Sequence, residues 1–221
     1  MNTIQLPLPF GFGSVNCYLV RAEKGYILID TGFSNQRTRI DAALASAGCE
    51  PGNLKLIVIT HGDFDHTGNA AYLRGKYGAK IAMHPDDAGM AERGDMFWNR
   101  KKGNLLLKIA GPIFFRFGKS ARFTPDLMAD EGTDLTGYGF EAKILSIPGH
   151  SKGSIGILLP AGDLFCGDLL TNLDQPVLNA IMDDPAAAWA SVEKLKSQPV
   201  KTVYPGHGQP FSWESFLENL R

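Results

Sequence analysis

Four times in this chain an apolar run that reads as a buried strand leads straight into a glycine-containing turn that carries histidine or aspartate. The stretches are "VITHGDFDHTG", "LSIPGHSKGS", "LFCGDLL" and "VYPGHGQP". Strand ends on one edge of a sheet converge, and the flanking glycines let the backbone turn there without a Cβ clash. Such a chain has to fold so that His61, Asp63, Asp65, His66, His150, Asp168 and His207 point into one cleft. Imidazole suits zinc and iron, whereas carboxylates suit harder ions and can bridge two of them. Seven candidates suffice for two ions with positions left for water or substrate, the mark of a catalytic rather than a structural site. Each residue taken singly has a plainer reading, as a turn histidine or a helix cap. That reading serves one residue and fails for the set; Asp63 is the member for which a non-ligating place beside the ions competes most strongly.

Length and charge bound the alternatives. The 221 residues fit one large domain, and the formal net charge of −1 gives no general pull toward nucleic acid or an anionic membrane. Cys17, Cys49 and Cys166 are odd in number and widely spaced, which is no disulfide framework and fits a reducing compartment. The N-terminus resembles neither a signal nor a transit peptide, and no apolar run is long enough to span a bilayer. A cytoplasmic chain is expected; its oligomeric state is left open.

The pattern of elements predicts the architecture. "VNCYLVRAEKGYILIDTG" reads as two strands around a turn, and Ser34 is placed to cap a helix through "NQRTRIDAALASAG" that Gly48 stops. "LKLIVIT" and "AKIAMH" read as strands, with a short helix between them. "KILSI", "SIGILLP" and "LFCGD" follow as short strands. Asp184 and Pro185 then open a helix with Ala188, Val192 and Leu195 on one face, and "KTVYP" precedes a last helix from about Ser212. Strands and helices thus alternate once in each half, while several strands are joined by hairpin-length turns. This predicts an α/β fold of two packed sheets with helices outside, a four-layer αβ/βα sandwich formed as a single domain over residues 1–221. Residues 85–131 form an insertion too long for a simple loop. Between Phe97 and Phe123 it carries Arg100, Lys101, Lys102, Lys108, Arg116, Lys119 and Arg122 without an acidic residue, interleaved with Trp98, Phe114, Phe115 and Phe117.

Taken in order, "LIDTG", "THGDFDHTG", "IPGHSKGS", "FCGDLL" and "YPGHG" resemble the motifs of the metallo-β-lactamase fold superfamily, over nearly the whole chain. The resemblance implies that His61, the residue at 63 and His150 hold a first metal, that Asp65, His66 and His207 hold a second, and that Asp168 bridges them. It implies a water shared by two divalent ions as nucleophile, with Asp65 as the catalytic residue that orients it or passes a proton to the leaving group. One position departs: the common His-x-His-x-Asp-His is here His-x-Asp-x-Asp-His. A carboxylate at 63 is shorter, anionic and harder, so zinc remains the first expectation while iron or manganese gains ground. Flavodiiron members of the superfamily also carry a carboxylate there.

The resemblance to glyoxalase II-like and lactonase members implies a metal-dependent hydrolase of a small ester, thioester or lactone, with an anionic or acyl-containing small molecule as substrate. Two rivals stand beside it: a nuclease or phosphodiesterase, suggested by the basic segment and disfavoured by the overall charge, and an iron-dependent redox or dioxygenase protein, suggested by Asp63. The basic, aromatic segment reads first as a helical insertion packed on the core. A lid over the cleft, a surface for nucleic acid and a patch for acyl chains or membranes are its functional readings. Asp30 is expected to order the backbone of the site, His84 to stand near it without ligating, and Cys166 to be a buried strand residue. Tyr204 and Asn172 are candidates for touching substrate.

Overall fold

The computed structural model describes residues 1–7, 13–100 and 118–220. The first sheet holds β1 (Asn2–Pro7), β2 (Ser14–Ala22), β3 (Gly25–Ile29), β4 (Leu54–Val58), β5 (Lys80–Met83) and β6 (Leu127–Met128), neighbours in that order. Then come β7 (Lys143–Ser146), β8 (Ile155–Leu158), β9 (Asp163–Gly167), a ribbon of β10 (Leu170–Asn172) with β11 (Pro176–Leu178), and finally β12 (Thr202–Pro205) and β13 (Phe211–Ser212). Five of these form the second sheet, in the order β13-β12-β9-β8-β7. The first three strands are antiparallel and β3 to β6 run parallel; in the second sheet β9 and β12 are parallel and the other pairs antiparallel.

Three separate apolar clusters show the layering. Strand side chains alternate between faces, so Ile27 and Ile29 of β3 point inward to meet Ile155, Ile157 and Phe165 of the second sheet. Leu28 points outward and packs with Ile40 and Leu44. On the far side, Leu164 and Cys166 of β9 pack with Ala188, Val192 and Leu195. Sheets covered on both faces require near-continuous apolar runs, as "YILI" and "LKLIV" are. The result is the α/β four-layer sandwich.

Among the described residues the α-helices are α1 (Arg37–Ser46), α2 (Phe64–Thr67), α3 (Ala70–Tyr77), α4 (Pro85–Arg93), α5 (Pro185–Lys196) and α6 (Trp213–Glu218). Asp184 caps α5 by accepting from the Ala187 amide at 3.1 Å, and Ser212 caps α6 by accepting from the Ser215 amide at 3.1 Å. The start of α1 differs from expectation. Ser34 lies inside a 3₁₀ turn, Ser34–Gln36, and makes no cap; α1 begins at Arg37 and is stopped by Gly48 at φ +75°. The strands β1, β6, β10, β11 and β13 are additions to the predicted set. Within 85–131, α4 opens the segment, Phe123 is buried in the first outer core, and β6 closes it by pairing with β5. Lys101, Lys102, Lys108, Phe114, Phe115, Arg116 and Phe117 lie outside the described residues. Trp98 stays partly exposed with the Arg93 guanidinium 3.8 Å above its ring. Among the described residues no helix is long and apolar enough to cross a membrane.

Candidate metal centre

All seven predicted side chains come together at one edge of the sandwich. The turn after β4 carries His61 and Asp63, and the single turn of α2 carries Asp65 and His66. His150 follows β7, while the parallel pairing of β9 and β12 sets Asp168 beside His207. The atoms that could ligate a metal fall into three overlapping groups: His61, Asp63 and His150; His61, His66 and Asp168; and Asp65, His66 and His207.

Distances within the groups fit an ion. Donors about 2.1 Å from a tetrahedral metal stand roughly 3.4 Å from one another. Asp63 Oδ2 is 3.1 Å from His150 Nε2 and 3.8 Å from His61 Nε2. Asp65 Oδ2 is 3.6 Å from His66 Nε2 and 3.3 Å from His207 Nε2, and Asp168 stands 3.4 Å and 3.3 Å from the same two nitrogens. His61 Nε2, His66 Nε2 and Asp168 Oδ1 are buried with no hydrogen-bond partner among the described residues. Buried polar atoms are rarely left so, and a bound cation satisfies all three.

The imidazoles are turned for this task by the other ring nitrogen. His61 Nδ1 is 3.0 Å from Thr60 Oγ1 and His66 Nδ1 is 2.9 Å from Asp30 Oδ2. His150 and His207 donate from Nδ1 to the carbonyls of Ile181 at 2.7 Å and Ser14 at 2.8 Å. Every Nε2 therefore faces inward, the arrangement by which outer partners orient metal-binding histidines.

Electrostatics in the metal-free protein follow from this crowding. Burial pushes His61 well down, helped by His66 and His150. Burial would lower His66 as well, but Asp65, Asp168 and Asp30 hold it at about 9, and against the same burial Asp168 and Asp65 hold His207 at about 11. Burial raises Asp168, yet His207, His66 and His61 keep it well below the usual carboxylate range.

Asp30 has the ordering role expected of it. It sits at φ +58°, is buried, and accepts from the Thr60 amide at 2.9 Å and the Thr60 hydroxyl at 2.8 Å. His84 caps α4, its Nδ1 accepting from the Asp86 amide at 3.1 Å. Cys166 is buried in the second outer core, where burial pushes its thiol up to about 12. Tyr204, a candidate for touching substrate, stacks on Phe165 at the layer between the sheets, 5.2 Å between centroids. Asn172 ties β10 to the His207 turn by donating from its side chain to the Gln209 carbonyl at 3.0 Å.

Three residues of the site are not assigned to it by the sequence. Asp87, on α4, accepts from the Gly62 amide at 2.9 Å, the Ser151 hydroxyl at 2.6 Å and the Gly153 amide at 2.8 Å. Arg100 donates to Asp63 Oδ1 at 2.5 Å, and its Nε lies 3.3 Å from Asp183 Oδ2. Nothing local marks these residues; only the fold, which lays α4 against the turns and brings Arg100 between Asp63 and Asp183, reveals them. A cavity of about 600 Å³ lies at the opposite edge, between Val20–Glu23, Gly139–Glu141 and the β8–β9 turn, away from the candidate metal groups found among the described residues.

Comparison with known proteins agrees with this architecture. The family profile described as "Metallo-beta-lactamase superfamily" matches residues 10–207. The human "Metallo-beta-lactamase domain-containing protein 1" is 30% identical over 203 residues, covering 92% of this chain and 65% of that protein. "Hydroxyacylglutathione hydrolase GloC" of Haemophilus influenzae is 30% identical over 162 residues, 70% of this chain and 66% of that protein. The chain thus spans about two thirds of the length of these relatives. Among solved structures, TTHA1623 in a di-iron-bound form is 28% identical with a TM-score of 0.68, covering 94% of both chains. The archaeal superfamily protein ST1585 from Sulfolobus tokodaii, at 23% identity and TM-score 0.72 over 99% of this chain and 84% of that one, shares the fold.

Proposed function

The chain belongs to the metallo-β-lactamase superfamily, and from that premise we propose that it is a metal-dependent hydrolase with a two-ion centre that acts on a small ester, thioester or lactone. One observation carries the reading: His61 Nε2, His66 Nε2 and Asp168 Oδ1, buried and without a hydrogen bond among the described residues, stand among further carboxylate and imidazole donors at ligand spacing. His61, Asp63 and His150 would hold the first ion and Asp65, His66 and His207 the second, with Asp168 between them.

Divalent ions held there would supply an acidified water near neutral pH and a Lewis acid for the substrate carbonyl. The chain's own part is orientation and proton handling. Thr60, Asp30, Ile181 and Ser14 fix the imidazole rings, so little reorganisation accompanies reaction. Asp65 is the most exposed of the three central carboxylates, 17% against 10% for Asp63 and 8% for Asp168. It is therefore the one placed to orient a nucleophile and pass a proton toward a leaving group. The resemblance to hydroxyacylglutathione hydrolases favours a hydroxyacyl thioester within this class. Zinc is the first candidate ion; the harder Asp63 and the di-iron-bound TTHA1623 support iron as the alternative, with manganese behind it. Three free, buried cysteines support a reducing, cytoplasmic setting.

The test is a thioester assay on chelator-treated protein. Turnover of a 2-hydroxyacyl thioester should vanish on chelation and return with zinc, iron(II) or manganese(II). Asp65→Asn should lower turnover far more than substrate affinity. No turnover with any of the three ions rules out the thioesterase reading.

A further inference from the structure

The superfamily motif has histidine where this chain has Asp63, and the structure places a second unusual group against it. Arg100 is nearly buried, with 9% of its side chain exposed; its guanidinium donates to Asp63 Oδ1 at 2.5 Å and faces Asp183 Oδ2 as an ion pair, 3.3 Å from Nε, without a hydrogen bond from Nε. A buried arginine this close to a cation site repels the ion, so its presence calls for an account. The geometry supplies one. Arg100 takes Oδ1 only, and Oδ2 stays turned toward His150 and His61 at ligand spacing.

We propose that Arg100 is the positioning residue of the first half-site: it holds Asp63 as a one-oxygen ligand and cancels its charge, so that Asp63 and Arg100 act as a unit in place of the motif histidine. This rests on the metal-centre reading above. Asp63 and Asp183 against Arg100 leave one net negative charge beside the first ion. Replacing Asp63 by histidine completes the common motif yet removes that charge and frees a guanidinium fork next to the ion. Removing Arg100 as well restores the single negative charge through Asp183. Arginine is suited to the role because its planar fork serves two carboxylates at once and stays charged, which lysine does only as a point charge.

The experiment is a mutant cycle read by metal binding alone. Wild type, Asp63→His, Arg100→Met and the double variant are stripped by chelation. Ions per chain are then measured by elemental mass spectrometry, and zinc and manganese affinities by competition with a chromophoric chelator. Asp63→His should weaken binding of the first-site ion at least ~10-fold, and the double variant should return to near wild type, since the net negative charge beside the ion is what the first substitution removes and the second restores. Arg100→Met alone should raise first-site affinity and narrow the preference between zinc and manganese as Asp63 becomes free to bind through both oxygens. Arg100→Lys should keep the affinity and lose the preference. If Asp63→His does not fold, Asp63→Asn with and without Arg100→Met runs the same comparison. Two ions at wild-type affinity in Asp63→His, or a double variant as weak as the single one, overturns the proposal. Wild-type protein that binds no ion overturns the metal-centre reading itself, and is recognised before any variant is compared.

Discussion

A methyl group at Gly206 would overlap Asp168 Oδ1 and stand 2.7 Å from His66 Cε1. His66 belongs to the proposed second half-site and Asp168 stands between the two, and neither can retreat, because each is buried and Asp30 holds the His66 ring. Gly206→Ala should therefore cost about 1–3 kcal/mol of stability through overpacking and lose the second-site ion while the first is retained. Elemental analysis beside a denaturant titration checks this, and full loading in a stable variant would contradict it. The convergence of the seven candidate side chains is legible in the sequence, because they cluster at strand ends where periodicity and glycine announce a turn. Arg100 is visible there only as one member of a basic run. That its partner is Asp63, 37 positions away, depends on where the chain just after α4 comes to rest, and no spacing rule encodes that.

At the scale of elements, α4 does more than cover the first sheet. From its first turn Asp87 reaches the turn after β4 through Gly62 and the turn after β7 through Ser151 and Gly153, so one carboxylate joins loops belonging to different sheets. Burial raises its pKa, and the three donors oppose that rise. Asp87→Ala would leave those donors without their partner in a closed site, at roughly 1–3 kcal/mol each before water repairs any of them. A net loss of about 3–5 kcal/mol is expected from urea unfolding of metal-free protein, together with weaker binding of the first ion. A loss under about 1 kcal/mol would mean the loops hold their register without α4. The longer elements are readable from pattern. The short ones are not: β6 and β13 have two residues each, and β10 and β11 three, too few for an alternation to show. The start of α1 falls later than the pattern predicts because Ser34 has a cap's chemistry, while the chain spends those residues on a 3₁₀ turn first.

For the whole molecule, the centre concentrates ionisable groups where the two sheets meet, so stability and metal loading should be coupled through pH. In the metal-free protein His66 is held at about 9 and His207 at about 11, both above the ordinary histidine value. A group whose folded pKa is raised stabilises the fold fully below its unfolded value, and that contribution disappears as pH climbs through the folded value. Metal-free protein should accordingly lose thermal stability as pH rises from about 6.5 through 9 and on toward 11. Asp63 and Asp168 work in the opposite sense: both are held below the usual carboxylate range, so their contribution is present above about 4 and fades as pH falls further. Loaded protein should behave differently on the alkaline side, because an ion takes the place of the histidine protons and binds better as they leave. Melting curves of stripped and zinc-loaded protein should therefore separate progressively between about pH 6.5 and 9, with proton release on zinc binding seen by calorimetry in buffers of different ionisation enthalpy. Parallel curves across that range would mean that the imidazoles are not where the cation is held, and the two-sheet edge would then need another explanation for the buried His61 and His66 Nε2 atoms, which make no hydrogen bond among the described residues.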